Sequence, residues 1–378
     1  MKVALVHDYL NQMGGAERVV LALHELFPDA PLYTSIFDPK RVDPAFSRMD
    51  IRTTFMQKLP FVKKHHQPFL PLYPFAMERL DLSGYDLVLS SSSAFGKGVI
   101  TKPGTLHICY CHTPMRWCWN YDEYVEREHL GKISRSILPF LITGLRIWDQ
   151  TSAMRVDHFI ANSPLVAERI QKYYRREAVV IPPPVEASRF PFDPTAKSED
   201  YFLIVSRLLP YKRIDLAIEA CNRLRLPLVI IGSGRDEQRL RGLAGPTIRF
   251  LGRLSDPDVL SYYAHCRAFI LPGEEDFGIT PLEAQASGRP VIAYGAGGAL
   301  ASVVDGVTGK FFPEQTVDSL VEVLASFDER QYDPQTIHSH ALEFDKPRFL
   351  RRIRQFIEAK LGEERIQALR TPTSELVR

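Results

Sequence analysis

The length and composition of the chain are those of an ordinary globular protein. It has 378 residues, of which 45% are hydrophobic and 24% are charged, and its formal net charge is +2 at pH 7. This composition argues against extensive disorder, and the near balance of charge gives no case for a nucleic-acid-binding protein. One ordinary core does not hold a chain of this length, so two domains are expected.

The amino terminus is predicted to enter the fold directly. Residues 1–6 run into His7 and Asp8 as a first strand, so we expect no signal peptide. No apolar run is long enough to span a bilayer. The expected location of the catalytic body is therefore the cytoplasm.

The first half of the chain alternates strands and helices. A helix is predicted at 17–27, where Val19, Val20, Leu23 and Leu26 form an apolar stripe. Strands are predicted at 2–6, 85–90, 106–110 and 158–162. This alternation is typical of a doubly wound α/β domain.

Two glycines lie where the first strand gives way to the first helix. The amides of Gly14 and Gly15 can there approach a donor phosphate or an acceptor. The pair does not form the G-x-G-x-x-G fingerprint of dinucleotide-binding proteins, and a simple tight turn is the alternative.

The segment 51–80 combines basic and aromatic residues. It holds five Lys or Arg residues against one acidic residue, Glu78, and also five aromatic residues. Its four prolines argue against a long regular helix. Basic and aromatic side chains together suit an anionic membrane surface, at the inner face of the plasma membrane, and a polyprenyl-diphosphate acceptor. The alternative is a structured loop with packed aromatic side chains and solvated lysines.

The cysteines raise the question of a metal site. They are Cys109, Cys111, Cys118, Cys221 and Cys266, an odd number without a Cys-x-x-Cys spacing, so free thiols in a reducing compartment are expected. His107, three of these cysteines and His112 crowd into twelve positions. In a strand, however, His112 points away from the face that His107 shares with Cys109 and Cys111. We therefore expect packed strand residues rather than a zinc site.

A proline-rich connector separates the two halves of the chain. Pro182, Pro183 and Pro184 are consecutive, which removes backbone donors and stiffens the chain. The alternation of strands and helices then restarts. The predicted strands of the second half are 201–206, 228–231, 248–251, 268–271 and 290–294.

Cations cluster after the first strand of the second half. Arg207 and Lys212 follow the strand 201–206 and precede a helical pattern that begins at Ile214. In parallel α/β sheets, ligands bind at the carboxyl ends of the strands. Arg207 can hold phosphate oxygens with its planar guanidinium, and Lys212 can add a compact charge. A solvated basic loop is the alternative.

The stretch 273–283 follows the strand 268–271 and opens a helix. Gly278 lets the backbone approach a ligand closely. We expect Thr280 to cap the helix and Pro281 to take its first position, so that the free amides of the first turn form a site for a diphosphate.

Two carboxylates flank this helix start. Glu275 and Glu283 are eight positions apart and can bracket a ligand with oxygens that accept hydrogen bonds from sugar hydroxyls. The alternative for Glu283 is a capping box, in which its carboxylate bonds to the backbone of Thr280.

Together these motifs resemble the retaining glycosyltransferases of GT-B architecture, in the large family four that uses nucleotide-sugar donors. The resemblance is carried by the pair Glu275/Glu283, by Ser206/Arg207/Lys212 and by Gly14-Gly15-Ala16-Glu17. Residues 7–10, 33–37 and 111–116 are similar to stretches of bacterial exopolysaccharide and O-antigen enzymes. The resemblance implies an α/β fold of two Rossmann-like, doubly wound domains that face a central cleft.

The same resemblance implies the domain limits. An acceptor-binding domain would span 1–183 and a nucleotide-sugar donor domain 184–346. Residues 347–378 would form a carboxy-terminal segment whose helix, at 349–361, crosses back onto the first domain.

The resemblance also implies roles for individual residues. Arg207, Lys212 and the helix amides near 278–280 would stabilise the charge that develops on the β-phosphate without a metal. Glu275 would hold sugar hydroxyls, Glu283 the ribose, and His112, at the end of the strand 106–110, would face the donor sugar. The predicted catalytic residues are His112, Arg207, Lys212 and Glu275. The predicted donor-binding residues are Gly14, Gly15, Ser206, Gly232, Arg253, Leu254, Phe277, Gly278, Ile279, Thr280 and Glu283.

The donor is expected to be a substrate, and no metal ion or cofactor is expected. The positions around Gly232 and Arg253 are the candidates for the base pocket, and a UDP-hexose is preferred to GDP-mannose. The acceptor is expected to be a glycan or a polyprenyl-diphosphate-linked sugar. In a retaining front-face transfer the departing phosphate helps to remove the acceptor proton, so no enzymatic base is needed.

Three other classes remain open from the sequence. Nucleotide-sugar epimerases and sugar phosphorylases also use two facing Rossmann-like domains, and a non-catalytic nucleotide-sugar-binding subunit would keep the same residues. A dehydrogenase is disfavoured because the first strand lacks the dinucleotide fingerprint and its ribose-binding acid.

Overall fold

A computed structural model describes residues 1–120 and 132–370 of the chain, and for 132–137 and 363–370 it describes the backbone alone. Two parallel β-sheets organise these residues, the first within 3–180 and the second within 202–312. The predicted α/β fold, with two Rossmann-like doubly wound units, is therefore confirmed. Residues 371–378 of the predicted carboxy-terminal segment lie outside the described residues.

The first sheet has seven strands in the order β3-β2-β1-β4-β5-β6-β7, and every neighbouring pair is parallel. Its strands are β1 Val3–His7, β2 Leu32–Thr34, β3 Ile51–Thr53, β4 Leu87–Ser92, β5 Leu106–Cys111, β6 His158–Ala161 and β7 Ala178–Val180. Its helices are α1 Gly15–Leu26, α2 Tyr73–Glu78, α3 Arg116–Trp119, α4 Lys132–Ala153 and α5 Pro164–Tyr174. Along β1, Val3 and Leu5 pack into one apolar cluster and Ala4 and Val6 into another, so the strand is buried on both faces.

The second sheet has six parallel strands in the order β10-β9-β8-β11-β12-β13. Its strands are β8 Phe202–Val205, β9 Leu228–Ile231, β10 Ile248–Gly252, β11 Ala268–Leu271, β12 Val291–Tyr294 and β13 Gly309–Phe312. Its helices are α6 Ile214–Leu224, α7 Glu237–Leu243, α8 Asp256–His265, α9 Ile279–Ala286, α10 Ala299–Ser302, α11 Val317–Ser326 and α12 Pro334–Leu342.

The strand order reverses once in each sheet. In the first sheet the reversal lies between β1 and β4, and in the second between β8 and β11. A crevice opens at such a point, beyond the carboxyl ends of the strands, because the connections leave in opposite directions. The loops that follow β1 and β4, and those that follow β8 and β11, are therefore the expected walls of a ligand site.

The chain passes between the two units at two adjacent places. Near the first, the Val185 amide donates to the Phe344 carbonyl at 2.9 Å, and the Lys346 amide donates to the Val185 carbonyl at 2.9 Å. Beyond this point the last helix, α13 Lys346–Arg370, returns to the first sheet. Its residues Phe349, Ile353 and Ile357 are buried in the apolar cluster around α1.

The basic and aromatic segment 51–80 begins with β3, continues in short turns of helix and is divided between core and surface. Tyr73 is fully buried and stacks on Phe95 with ring centroids 4.6 Å apart, so for this residue the packed-loop alternative holds. Phe55, Phe61 and Phe75 remain 40%, 79% and 53% exposed.

The cysteines and histidine of β5 are packed strand residues. All five cysteines are free and buried. The Nε2 atom of His107 lies 2.8 Å from the Ser90 hydroxyl oxygen, and burial lowers the pKa of His107 to about 4. Within residues 1–120 and 132–370, no group of three or more His, Cys, Asp or Glu side chains is arranged to hold a metal ion.

None of the helices in the described parts of the chain combines the length and the hydropathy needed to cross a bilayer.

Candidate active site

Lys212 and Glu275 meet at the strand reversal of the second sheet. Lys212 ends the short helical turn Pro210–Lys212 after β8, and Glu275 lies in the loop after β11. The ammonium of Lys212 forms an ion pair with the Glu275 carboxylate. Burial lowers the pKa of Lys212, but the charge and hydrogen bond of Glu275, together with Tyr211, outweigh this effect and the pKa is raised. Lys212 therefore stays charged and is held close to Glu275.

Two glycines allow the loops around this pair to approach each other. A Cβ atom on Gly273 would lie 2.7 Å from the Lys212 carbonyl oxygen, so only glycine fits beneath the lysine. The Gly298 amide donates to the Glu275 carbonyl at 2.7 Å, and a Cβ atom there would lie 2.2 Å from the Phe277 Cα atom. The backbone on both sides of Glu275 is therefore fixed by close packing.

Arg207 reaches from the second unit to the first. Its Nη1 atom donates to the Gln12 side-chain oxygen, in the loop after β1, at 3.1 Å. The Ser206 hydroxyl donates to the carbonyl of Arg207 at 3.2 Å. The guanidinium is thus placed at the exposed edge of the cleft, where phosphate oxygens can reach it.

The helix α9 begins two residues earlier than the sequence predicts. Its N-cap is Gly278, with φ of 86°, and no side chain caps the helix. The left-handed backbone of Gly278 is a conformation that glycine adopts without strain. The prediction that Thr280 caps the helix and that Pro281 takes its first position is therefore wrong, because both residues lie inside the first turn. The amides of that turn still face the cleft from the end of β11.

Glu283 makes two contacts that replace the predicted alternative of a capping box. One oxygen accepts a hydrogen bond from the Tyr263 hydroxyl of α8 at 2.7 Å, and the other forms an ion pair with Arg18 of α1. The Glu283 side chain is 6% exposed. Its negative charge is the main cause that raises the pKa of Arg18. Glu283 therefore joins α9 to α8 and to the first unit.

Gly14 and Gly15 place the start of α1 against α9. Gly14 is the N-cap of α1 and has an extended backbone. A Cβ atom on Gly15 would lie 2.7 Å from the Cδ1 atom of Ile279, so the absence of a side chain lets two helix N-termini face the same space. Such N-termini attract anions.

His112 follows β5 at the cleft edge of the first sheet. Its Nε2 atom lies 2.8 Å from the Ser91 hydroxyl oxygen, and its carbonyl accepts a hydrogen bond from the Asn162 side chain at 2.9 Å. Burial, assisted by the nearby charge of His7, lowers the pKa of His112 to about 4. The imidazole is therefore neutral at physiological pH.

A buried charge pair supports the first unit and was not predicted from the sequence. The Nδ1 atom of His7 donates to the Ser91 carbonyl at 2.8 Å, and its Nε2 atom lies 3.7 Å from the Glu17 carboxylate. Burial lowers the pKa of His7, but Glu17, Asp8 and the Ser91 carbonyl together outweigh this effect and the pKa is raised. The motif Gly14-Gly15-Ala16-Glu17 was the available signal, since it places an acid in the first turn of α1, directly after the glycines.

A second unpredicted group surrounds Asp276. Its carboxylate pairs with Arg116 of α3 at 2.5 Å and with Arg169 of α5, and its carbonyl accepts a hydrogen bond from the Ser163 hydroxyl at 2.6 Å. Arg116 ends the stretch 111–116, which carries part of the family resemblance, whereas Arg169 has no local signal in the sequence.

The predicted base-pocket residues lie in the loops after β9 and β10. Gly232 has φ of 131°, and a Cβ atom there would lie 1.9 Å from the Ser206 carbonyl oxygen. The Nε atom of Arg253 donates to the Ser233 hydroxyl at 2.9 Å, and Leu254 packs against the apolar cluster of the second unit. Gly232 is thus required by packing, and a role in base binding stays a prediction.

The structure brings most of the predicted residues to one cleft. Contacts of Arg207, Gly15 and Glu283 cross between the two units, and Phe277 is buried next to Gly278. This arrangement offers cations and helix amides on one side and a neutral histidine on the other. Such a surface can hold a diphosphate and an uncharged polar group together.

The sequence matches two family models. "Glycosyltransferase Family 4" matches residues 13–189, and "Glycosyl transferases group 1" matches residues 188–341. Together they cover residues 13–341, which include every strand of the two sheets except β1. The chain belongs to the family 4 glycosyltransferases with GT-B architecture.

Two curated relatives are similar over parts of the chain. An O-antigen chain mannosyltransferase C of Escherichia coli is 31% identical over 188 residues, which are 45% of this chain and 50% of the relative. A GDP-mannose-dependent monoacylated alpha-(1-6)-phosphatidylinositol monomannoside mannosyltransferase of Corynebacterium glutamicum is 39% identical over 135 residues, 32% of this chain and 35% of the relative. The chain thus spans half or less of the length of these relatives.

Two solved structures share the fold. The Anabaena protein HepE, crystallised with UDP, has a TM-score of 0.66 at 16% identity and covers 95% of this chain and 100% of its own. The sucrose-phosphate synthase of Thermosynechococcus elongatus has a TM-score of 0.73 at 16% identity and covers 96% of this chain and 100% of its own.

Proposed function

We propose that the protein transfers a hexose from a nucleotide sugar to a glycan or a polyprenyl-diphosphate-linked sugar, with retention at the anomeric carbon and without a metal ion. The observation that carries the proposal is the ion pair of Lys212 with Glu275 beside the N-terminus of α9. It places cation, carboxylate and free amides at the strand reversal of the second sheet, where a nucleotide sugar presents phosphate and hydroxyl groups.

The leaving group would be stabilised by fixed positive charge. As the bond from the anomeric carbon to the β-phosphate oxygen breaks, the electron pair moves to that oxygen and negative charge develops there. Lys212, Arg207 and the amides of α9 surround the proposed position of this oxygen. Because these groups are held by the fold before the reaction, they need little reorganisation to stabilise the charge.

The acceptor hydroxyl would attack from the face that the phosphate leaves. The new bond joins the acceptor oxygen to the anomeric carbon, and the acceptor proton passes to the departing phosphate oxygen. In this scheme Glu275 holds hydroxyls of the sugar ring, Glu283 binds the ribose, and neutral His112 offers an uncharged hydrogen-bonding group. The measured configuration of the product, followed by NMR spectroscopy, tests the retention.

A UDP-hexose is the proposed donor, and GDP-mannose is the second candidate. The UDP found with the Anabaena HepE structure supports the first candidate, and the names of the two mannosyltransferase relatives support the second. The residues near Gly232 and Arg253 would contact the base.

A thermal-shift panel of UDP, GDP and their hexose derivatives tests the proposal. A specific ligand stabilises the native state by mass action, so the correct nucleotide should raise the melting temperature at micromolar to millimolar concentration. The shift should persist with EDTA present. If no nucleotide raises it, the proposed function is wrong. Consumption of the donor without acceptor, with formation of an isomer, would instead identify an epimerase.

We also propose that the exposed part of the segment 51–80 contacts an anionic membrane surface that carries the acceptor. Phe55, Phe61 and Phe75 are exposed on it, together with Lys58 and Lys64. Apolar side chains flanked by cations are what an interface with anionic lipids accommodates.

A further inference from the structure

Asp276 lies between two residues of the candidate site, Glu275 and Phe277, but its partners belong to the first unit. Its carboxylate accepts from Arg116 at 2.5 Å and from Arg169, and its carbonyl accepts from the Ser163 hydroxyl at 2.6 Å. Three residues of the first unit, from α3 and from α5 with its N-cap, thus converge on one residue of the second.

The three partners come from segments that also hold His112 in place. Ser163 caps α5, since its hydroxyl accepts from the Val166 amide at 3.2 Å, and it follows Asn162, whose side chain holds the His112 carbonyl. The Nη1 atom of Arg169 also donates to the Thr113 hydroxyl at 3.3 Å. A shift of Asp276 would therefore move the end of β5.

The contact is a strong one because the carboxylate is largely shielded from water. The Asp276 side chain is 21% exposed, and those of Arg116 and Arg169 are 33% and 15% exposed. Burial raises the pKa of Asp276, but the two arginines outweigh it and the pKa is lowered, so the carboxylate is ionised. Charge-assisted hydrogen bonds of this kind are about twice as strong as neutral ones.

A neighbouring pair provides a natural comparison. Glu274 also faces Arg169, but at 3.5 Å and with its side chain 46% exposed. An exposed pair at that distance contributes little. The two carboxylates thus share one arginine and differ in their degree of burial.

We infer that Asp276 is a positioning residue, which closes the cleft by binding Arg116 and Arg169 and so brings His112 to the donor held by the second unit. The inference rests on the proposed function. Asp276 need not touch the donor itself. Arg116 contacts the second unit a second time, because its guanidinium lies 5.5 Å from the centre of the Tyr211 ring, beside Lys212.

Steady-state kinetics distinguish positioning from donor binding. In Asp276→Asn, the nucleotide Kd should stay within about threefold of the wild-type value, because Lys212, Glu275 and Glu283 are unchanged. The kcat value should fall by about 30- to 100-fold, since a displacement of about 1 Å at a reacting group costs that order of rate. Asp276→Glu should recover part of the loss. Glu274→Gln is the matched control and should stay within about threefold in both constants.

An interdomain distance measurement tests the clamp without any substrate. All five native cysteines are buried, so cysteines introduced at the exposed positions Lys40 and Ala325 can be labelled selectively with a fluorophore pair. The wild-type protein should show a short, narrow distance distribution. Asp276→Asn and Arg169→Gln should each give a longer and broader distribution, the double variant should resemble the single variants, and Glu274→Gln should match wild type.

The outcomes separate this inference from the proposed function. An unchanged distance distribution in Asp276→Asn overturns the clamp, and so does a nucleotide Kd that weakens by the same factor as kcat falls. A wild-type protein that binds no nucleotide overturns the proposed function. The distance measurement would still decide whether Asp276 holds the two units together.

Discussion

Lys212 and Glu275 are the residues on which the proposed chemistry depends most directly. We expect Lys212→Ala and Glu275→Ala each to lower kcat by at least about 100-fold, the effect of removing one preorganised group that stabilises transition-state charge. The circular dichroism spectrum should be unchanged, because neither residue belongs to the apolar clusters that form the core of the second unit. The measurement is turnover at saturating donor concentration.

A second lysine pair of the same unit serves as the control. Lys310 and Asp305 form an exposed ion pair, with 3.5 Å between the Lys310 ammonium and the Asp305 carboxylate. Both residues lie well beyond the start of α9 in the sequence. Lys310→Ala should keep near wild-type turnover. Near wild-type turnover in either Lys212→Ala or Glu275→Ala would show that the site has been assigned incorrectly.

His112 should not titrate in the range where free histidine does. Burial lowers its pKa to about 4, so the folded protein binds the proton less readily than the unfolded chain, whose histidine has a pKa of 6.5. Above pH 6.5 this group has no effect on stability, and as the pH falls from 6.5 to 4 it destabilises the fold progressively, by roughly 3 kcal/mol in the limit. A two-dimensional NMR titration of the imidazole measures the midpoint.

The same titration bears on catalysis. Between pH 6 and 8 the His112 ring should stay neutral. The pH profile of kcat/KM should therefore show the same inflections in this range for the wild-type protein and for His112→Gln. A midpoint near 6.5 would mean that the ring is solvated and does not sit in the closed cleft. The pKa of His7 should shift in the opposite direction, above that of a free histidine, because Glu17 raises it.

At the scale of single residues, the sequence predicted the type of site better than its contacts. Arg207, Lys212 and Glu275 could be chosen because they follow strands at the carboxyl edge of a sheet. The contacts of Glu283 could not be predicted from local sequence, because its partner Arg18 is 265 positions away in the chain. The local capping pattern favoured Thr280, whereas the left-handed Gly278 starts the helix.

At the scale of elements, the last helix, α13, is expected to complete the apolar core of the first unit. Ile353 on α13 is 1% exposed and packs in the cluster around α1. Ile353→Ala should lower the free energy of unfolding by about 2–4 kcal/mol, the cost of a buried cavity of this size. Denaturation with urea measures the change.

The adjacent exposed position supplies the comparison. Arg354 is exposed on the same turn of α13, and Arg354→Ala should change stability by less than about 0.5 kcal/mol. If Ile353→Ala is equally mild, α13 does not contribute to the core of the first unit.

Strand prediction succeeded where the run was mostly apolar and buried. The strands β1, β5, β8, β9, β11 and β12 start within one residue of their predicted positions. The missed strands are β2, β3 and β7, which have three residues each, and β13, which begins with Gly309. Runs of three residues carry no readable periodicity, because packing against neighbouring strands defines them. The strand β13 has four residues, but Gly309 and Lys310 interrupt its apolar pattern.

At the scale of the whole molecule, two crevices are brought face to face. Each sheet reverses its strand order once, and the two units meet through Gly15 and Ile279, Arg18 and Glu283, and the arginines on Asp276. A periodic pattern predicts each domain separately but carries no information on how they meet. The proposed limits at 183/184 and 346/347 stay a prediction.

The segment 51–80 leads to a prediction for the whole protein at a membrane. Reversal of three charges, in Lys58→Glu, Lys63→Glu and Lys64→Glu combined, should reduce flotation with vesicles that contain phosphatidylserine. Each cation near an anionic surface contributes about 1 kcal/mol, so the partition coefficient should fall by roughly two orders of magnitude. Turnover with a soluble acceptor should be unchanged, since these lysines lie outside the candidate site.

The control reverses three exposed cations of the second unit, Lys197, Arg223 and Lys310, and so makes the same change in net charge. It should leave flotation close to wild type, because the exposed Phe55, Phe61 and Phe75 and their neighbouring lysines are intact. Equal losses in the two variants would indicate attraction by net charge alone. Unchanged flotation in the variant of 51–80 would exclude this segment as the membrane contact, and the acceptor would then have to reach the cleft from solution or from another surface of the first unit.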